Sequence, residues 1–135
     1  MPSVLILYAA TTAVFFLIDL VWLGVVARGF YRDQLGALMA DEIRWPVAIG
    51  FYLIWNVGLL VFAVLPALAE GAWLRALLLG AAFGFFTYLT YDLTNLATLR
   101  DWPMTLTIVD VAWGTLLGGT VATVGFLIGR NVLGM

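Results

Sequence analysis

Asp19, Asp92 and Asp110 sit inside long apolar stretches, where a charge costs at least ~2.5 kcal/mol on membrane-insertion scales. Acids kept at that cost mark proton relays, cation sites or the recognition of a ligand amine. Paired carboxylates can also act as acid and base, or hold Mg²⁺ against a phosphate with Arg100 as the anion partner. The chain has no cysteine and no histidine, which removes thiolate chemistry, disulfides and the usual haem and zinc ligands. A metal would have to be held by oxygen; none is assigned, and the sequence leaves any cofactor open.

The elements that must position these acids are membrane spans. Of 135 residues, 64% are hydrophobic and 10% charged, more apolar surface than a soluble fold can hide. Ser3 to Ala27, Val47 to Ala69, Trp73 to Leu99 and Met104 to Ile128 each read as a transmembrane helix, since ~20 residues at ~1.5 Å rise span the hydrocarbon core. The expected fold is therefore all-α, a single transmembrane domain over residues 1–135 built as a four-helix bundle. A cleavable signal peptide at the N-terminus is the rival for the first stretch, but no basic segment precedes it and the apolar run is too long. The net charge is −2, all six cations are arginines, and no basic run could track a phosphate backbone, so nucleic acid is not expected as a partner.

Boundaries carry their own signals. Trp45-Pro46 and Trp102-Pro103 set an interfacial ring beside a proline suited to a helix start, and Trp73 opens the third span. Trp55-Asn56 and Trp113-Gly114 follow those starts at similar distances, while Ile18-Asp19-Leu20 has a counterpart in Tyr91-Asp92-Leu93. The pattern reads as a two-helix unit used twice in the same orientation. In loop 1, Tyr31, Leu35, Leu38 and Met39 share one helical face, which fits a short amphipathic helix in the interface or an ordinary solvated loop. Arg28, Arg32, Arg44 and Arg100 lie on the side of loops 1 and 3, against Arg75 and Arg130 opposite. The positive-inside rule then puts loops 1 and 3 in the cytoplasm and both termini in the periplasm.

Counting from the helix ends brings the polar residues together. Asp19, Asp92, Asp110 and Asn56 each lie about seven to ten residues from the loop 1 and loop 3 face, roughly 10 to 15 Å deep. Tyr88, Asp92 and Asn95 share a face of the third helix, flanked by Tyr91, and Ala76, Gly80 and Gly84 continue it. Thr107, Asp110, Gly114 and Gly118 form a similar stripe on the fourth. Small residues at that spacing let helices approach, so both stripes point into the bundle. Trp22 and Trp113 each follow an aspartate by three residues and either wall a ligand pocket or simply pack there. A lone Asp or Asn per helix serves as interhelical glue at ~0.6 kcal/mol, but three acids at one depth with few internal cations make a functional cluster the better reading.

The segments Asp19-Leu20-Val21-Trp22-Leu23-Gly24, Tyr91-Asp92-Leu93-Thr94-Asn95-Leu96-Ala97-Thr98-Leu99-Arg100 and Asp110-Val111-Ala112-Trp113-Gly114 resemble a family of small bacterial membrane proteins. The family is catalogued as domain of unknown function 2177. The resemblance covers nearly the whole chain and implies a bacterial inner (cytoplasmic) membrane protein. It transfers no catalytic role to any residue.

Three functions fit these residues. The acidic cluster binds or transports a proton, a cation or a small amphipathic ligand, with Asp19, Asp92, Asp110, Asn56, Asn95, Tyr88, Tyr91, Trp22, Trp113 and Arg100 as the candidate site. Four short helices enclose little volume, so a transport pathway would call on a homodimer or a larger membrane complex. Alternatively, the chain is a membrane-embedded enzyme acting on a lipid or isoprenoid, although no dense aspartate motif supports this. In the third reading it is an accessory subunit whose polar cluster fixes only its own fold.

Overall fold

The computed structural model describes residues 2–135, with no strand among them. Four helices are long and apolar enough to cross a membrane: α1 (Pro2–Val26), α3 (Trp45–Glu70), α4 (Trp73–Thr98) and α5 (Met104–Asn131). A short helix, α2 (Phe30–Leu35), occupies loop 1. The outer faces carry Leu17, Ile54, Phe62, Phe86, Ile108 and Leu116 exposed, the surface a bundle presents to lipid.

Helix ends follow local chemistry. Pro46 sits in the first turn of α3, where a missing N–H costs nothing. At the end of that helix Gly71 adopts φ 71°, so its N–H and that of Ala72 reach back to the Ala67 carbonyl at 2.8 and 3.2 Å and close the last turn. Pro66 cannot donate to the preceding turn, and just before it Leu60–Val64 widens into a π-helical stretch. A second π-helical stretch, Trp22–Val26, ends α1, closed by the Ala27 N–H on the Trp22 carbonyl at 2.7 Å. It begins three residues after Asp19.

Packing is uneven around the bundle. α5 runs along α4 and also against α1, and the second half of α3, Leu60–Glu70, packs on both α4 and α5. The first half, Trp45–Leu59, packs on α1 and touches α4 near its end, where Trp55 meets Thr87 and Gly58 meets Phe83; toward Trp45 it parts from the second half of α4. The α4–α5 contact is main chain on main chain: a Cβ at Gly84 would fall on the Gly114 carbonyl, and one at Gly80 or Gly118 on the carbonyl of the other. The two small-residue stripes of the sequence therefore interlock. A Cβ at Gly114 would enter the Tyr88 ring, so the glycine makes the space in which Tyr88 lies. Between the helices, Leu7, Phe15, Leu59, Val64, Leu117, Val121 and Phe126 form the buried core.

Candidate functional site

At the loop 1 and loop 3 end the helices spread around a half-enclosed cavity of about 710 Å³. Every element contributes to its wall: Asp19 and Trp22 from α1, Tyr31 and Leu35 from α2, and Phe51 and Tyr52 from α3. Tyr88, Tyr91 and Asp92 come from α4, and Asp110 and Trp113 from α5. Behind the lining residues Thr87 and Tyr88 lies an aromatic cluster, with the Trp55 ring 5.3 Å from Phe15, 5.3 Å from Phe83 and 6.3 Å from Tyr88. The Trp55 indole N–H donates to Thr87 at 3.0 Å, bridging α3 and α4 at the level where they begin to part.

The three aspartates are buried, with exposures of 4% for Asp19, 0% for Asp92 and 9% for Asp110, but their partners differ. Trp113 donates its indole N–H to Asp19 Oδ1 at 3.2 Å. The Tyr31 hydroxyl donates to Asp110 Oδ1 at 2.8 Å and accepts the Trp22 indole N–H at 3.0 Å. Each tryptophan thus serves the acid of the other helix, directly in one case and through Tyr31 in the other. The two indoles stack between them, centroids 4.3 Å apart at 7°. Burial, followed by the adjacent Asp110 carboxylate, raises the Tyr31 hydroxyl above its ordinary range. It therefore stays protonated and fixed as a donor.

Asp92 has no such donor. Both of its carboxyl oxygens are buried without an N–H or O–H partner, and the group lies against the carboxyl of Asp110. Two acids in that position need a shared proton, or a positively charged or hydrogen-bonding guest, because a buried oxygen with no donor costs about 1–3 kcal/mol, and more when charged. Asp19 stays with Trp113 rather than joining the pair. Among the described residues no group of three or more His, Cys, Asp and Glu is close enough to hold a metal ion.

The other residues singled out in the sequence divide. Tyr88, Tyr91, Trp22 and Trp113 line the cavity. Asn56 is fully buried in α3 beside it; its amide donates to the Tyr52 carbonyl at 2.9 Å, and its own carbonyl oxygen has no partner. Asn95 is partly buried, does not line the cavity, and lies one turn closer to loop 3 than Asp92. Arg100 is exposed in loop 3 and is not brought to the cavity. Two residues take parts that periodicity did not suggest. Trp102, read as an interfacial anchor, is 9% exposed, donates to Thr107 at 3.1 Å and lines the cavity. Tyr31, placed only on an amphipathic face, is the ligand of Asp110. Leu35 shares its inward face, whereas Leu38 is exposed at 45%.

The family model described as "Predicted membrane protein (DUF2177)" matches residues 4–127. The chain belongs to this family. No curated protein and no solved structure matches it. The family match and the four helices of membrane-spanning length and composition agree on a membrane protein.

Proposed function

We propose that this membrane protein binds a small amphipathic ligand inside its bundle, a molecule with an apolar body and a head that offers hydrogen bonds or positive charge to Asp92 and Asp110. The observation that carries the reading is Asp92, wholly buried, lining a cavity, with neither oxygen partnered. Scale supports a small molecule over a bare ion: about 710 Å³ falls within the range of roughly 300–1,000 Å³ typical of small-molecule sites. So does the lining, in which aromatic faces surround a few acceptors, an arrangement that favours cationic heads. The carboxyl contact between Asp92 and Asp110 supports a second reading, a proton-binding site. Carboxyl infrared difference spectra after a pH step, without ligand, separate the two.

The protein purified into lipid nanodiscs and titrated with dodecylammonium tests the proposal, since the cavity-lining Trp22, Trp102 and Trp113 report on it by fluorescence. A saturable change, abolished by Asp92→Asn and absent with potassium ions or dodecanol, is the expected result. A wild-type response no different from that of Asp92→Asn overturns it.

The resemblance and the arginine distribution support a bacterial cytoplasmic membrane, with loops 1 and 3 inside and the termini in the periplasm. A reporter that works only in the periplasm, fused after Met135, should be active. Activity of a cytoplasmic reporter there would reverse the orientation.

A further inference from the structure

We propose that the ligand enters this cavity from the hydrocarbon phase, through the gap between the first half of α3 and the second half of α4, and is a membrane-dissolved primary amine with a flexible apolar chain. This rests on the cavity being a ligand site, and it adds the route and the head group.

The route follows from where the walls are closed. At the loop 1 end, α2 lies over the cavity, and Tyr31 is tied to α1 through Trp22 and to α5 through Asp110. Trp102, buried and bonded to Thr107, closes the loop 3 side. Behind Thr87 and Tyr88, the cluster of Trp55, Phe15 and Phe83 packs the bundle next to the cavity. The lateral side is different: α3 meets α4 from Trp55 onward, through Thr87 and Phe83, whereas toward the start of α3 the cavity-lining Phe51 and, across from it, Thr90, Tyr91 and Thr94 are exposed. These residues lie within helices of membrane-spanning length, so the gap faces lipid chains.

The chemistry of the gap suits a hydrocarbon chain. Thr90 donates its hydroxyl to the Phe86 carbonyl at 2.6 Å, and Thr94 donates to the Tyr91 carbonyl at 3.1 Å. With their protons given to their own helix, both present methyl groups to a passing chain. At the inner end the demand is the reverse. Asp92 has two oxygens without donors, and Tyr31 takes Oδ1 of Asp110 and leaves Oδ2. A primary ammonium supplies three N–H donors and the positive charge that none of the six arginines brings, since none lines this cavity.

The test is the rate of binding. Stopped-flow fluorescence of the protein in nanodiscs, mixed with dodecylammonium, is compared between wild type and two variants that fill the gap from opposite walls, Thr90→Phe and Ala48→Phe. Ala48 lines the cavity from α3. Association should slow about tenfold or more in a variant that still reaches saturation, because the passage and not the acid pair is altered. Wild type supplies a second measurement that needs no variant. Its association rate should follow the mole fraction of amine in the bilayer when the lipid content is varied at fixed aqueous amine. Unchanged rates in the saturable variants, or a wild-type rate that follows free aqueous amine alone, overturn lateral entry while leaving the binding site standing. Absence of any saturable wild-type response that Asp92→Asn removes overturns the site itself.

Discussion

The indole of Trp113 donates to Asp19, a residue 94 positions away, rather than to Asp110 one turn before it on its own helix. Its stacking partner Trp22 likewise serves the opposite helix by way of Tyr31. The exchange makes the stack a cross-link between α1 and α5 that holds two buried acids at once.

The two tryptophans should therefore respond differently to substitution. Trp113→Phe leaves Asp19 Oδ1 buried without its donor and should cost about 1–3 kcal/mol in unfolding from mixed micelles. Trp22→Phe removes a donor from Tyr31, whose hydroxyl still reaches Asp110, and should cost about 0.5–1.5 kcal/mol. Equal losses would mean that Asp19 does not depend on the indole.

Tyr31 supplies a pH prediction of definite sign. An exposed tyrosine ionises near pH 10, whereas burial and Asp110 hold Tyr31 above that. The folded state then binds the proton more tightly than the unfolded one, so the contribution is fully present below about pH 10 and is lost as pH rises toward the folded value. Wild type should lose stability above about pH 10 more steeply than Tyr31→Phe, with tyrosinate absorbance giving the ionisation directly. Parallel alkaline declines would show that Tyr31 is not held in this way.

The glycine interlock predicts strong position dependence. Gly84→Ala or Gly118→Ala places a methyl on backbone of the facing helix and should cost about 1–3 kcal/mol or more, since main chain cannot rotate aside. Gly50→Ala meets nothing within 4 Å and should be neutral or stabilising by up to about 1 kcal/mol through helix propensity. Thermal unfolding in detergent, read by circular dichroism, distinguishes the two classes; similar shifts would contradict the close α4–α5 contact.

Asp92→Asn exchanges an acid without donors for an amide that can donate to Asp110. The empty variant should melt at or above the wild-type temperature, even though ligand binding is lost. A large drop in melting temperature would indicate that Asp92 holds the fold together.

How much of this was legible in the sequence follows from what periodicity encodes. Spans appear because hydrophobic length is a local property, and the Gly80/Gly84 and Gly114/Gly118 stripes because one helix face repeats every three to four residues. Depth along a helix is also countable, which is why Asp19, Asp92 and Asp110 stood out. What spacing does not encode is the neighbour across an interface. The pairing of Asp92 with Asp110, the capture of Asp19 by Trp113 and the inward turn of Tyr31 depend on which helices adjoin and how α2 folds back. Trp102 differs from expectation for a related reason: tryptophan before proline marks an interface on average, but here the buried ring turns back to donate to Thr107.

Because α4 and α5 come together main chain on main chain at Gly80, Gly84, Gly114 and Gly118, their separation there has no rotamers by which to relax. Asp92 and Asp110, one on each helix, are consequently held by a backbone ruler. The opposite wall, the first half of α3, hangs from a stretch whose hydrogen-bond ladder is interrupted at Leu60–Val64 and Pro66. Bilayer thickness, lateral pressure or temperature should therefore alter the width of the cavity mouth while the gauge between its two acids stays constant, a division of labour between a rigid reading head and a compliant door.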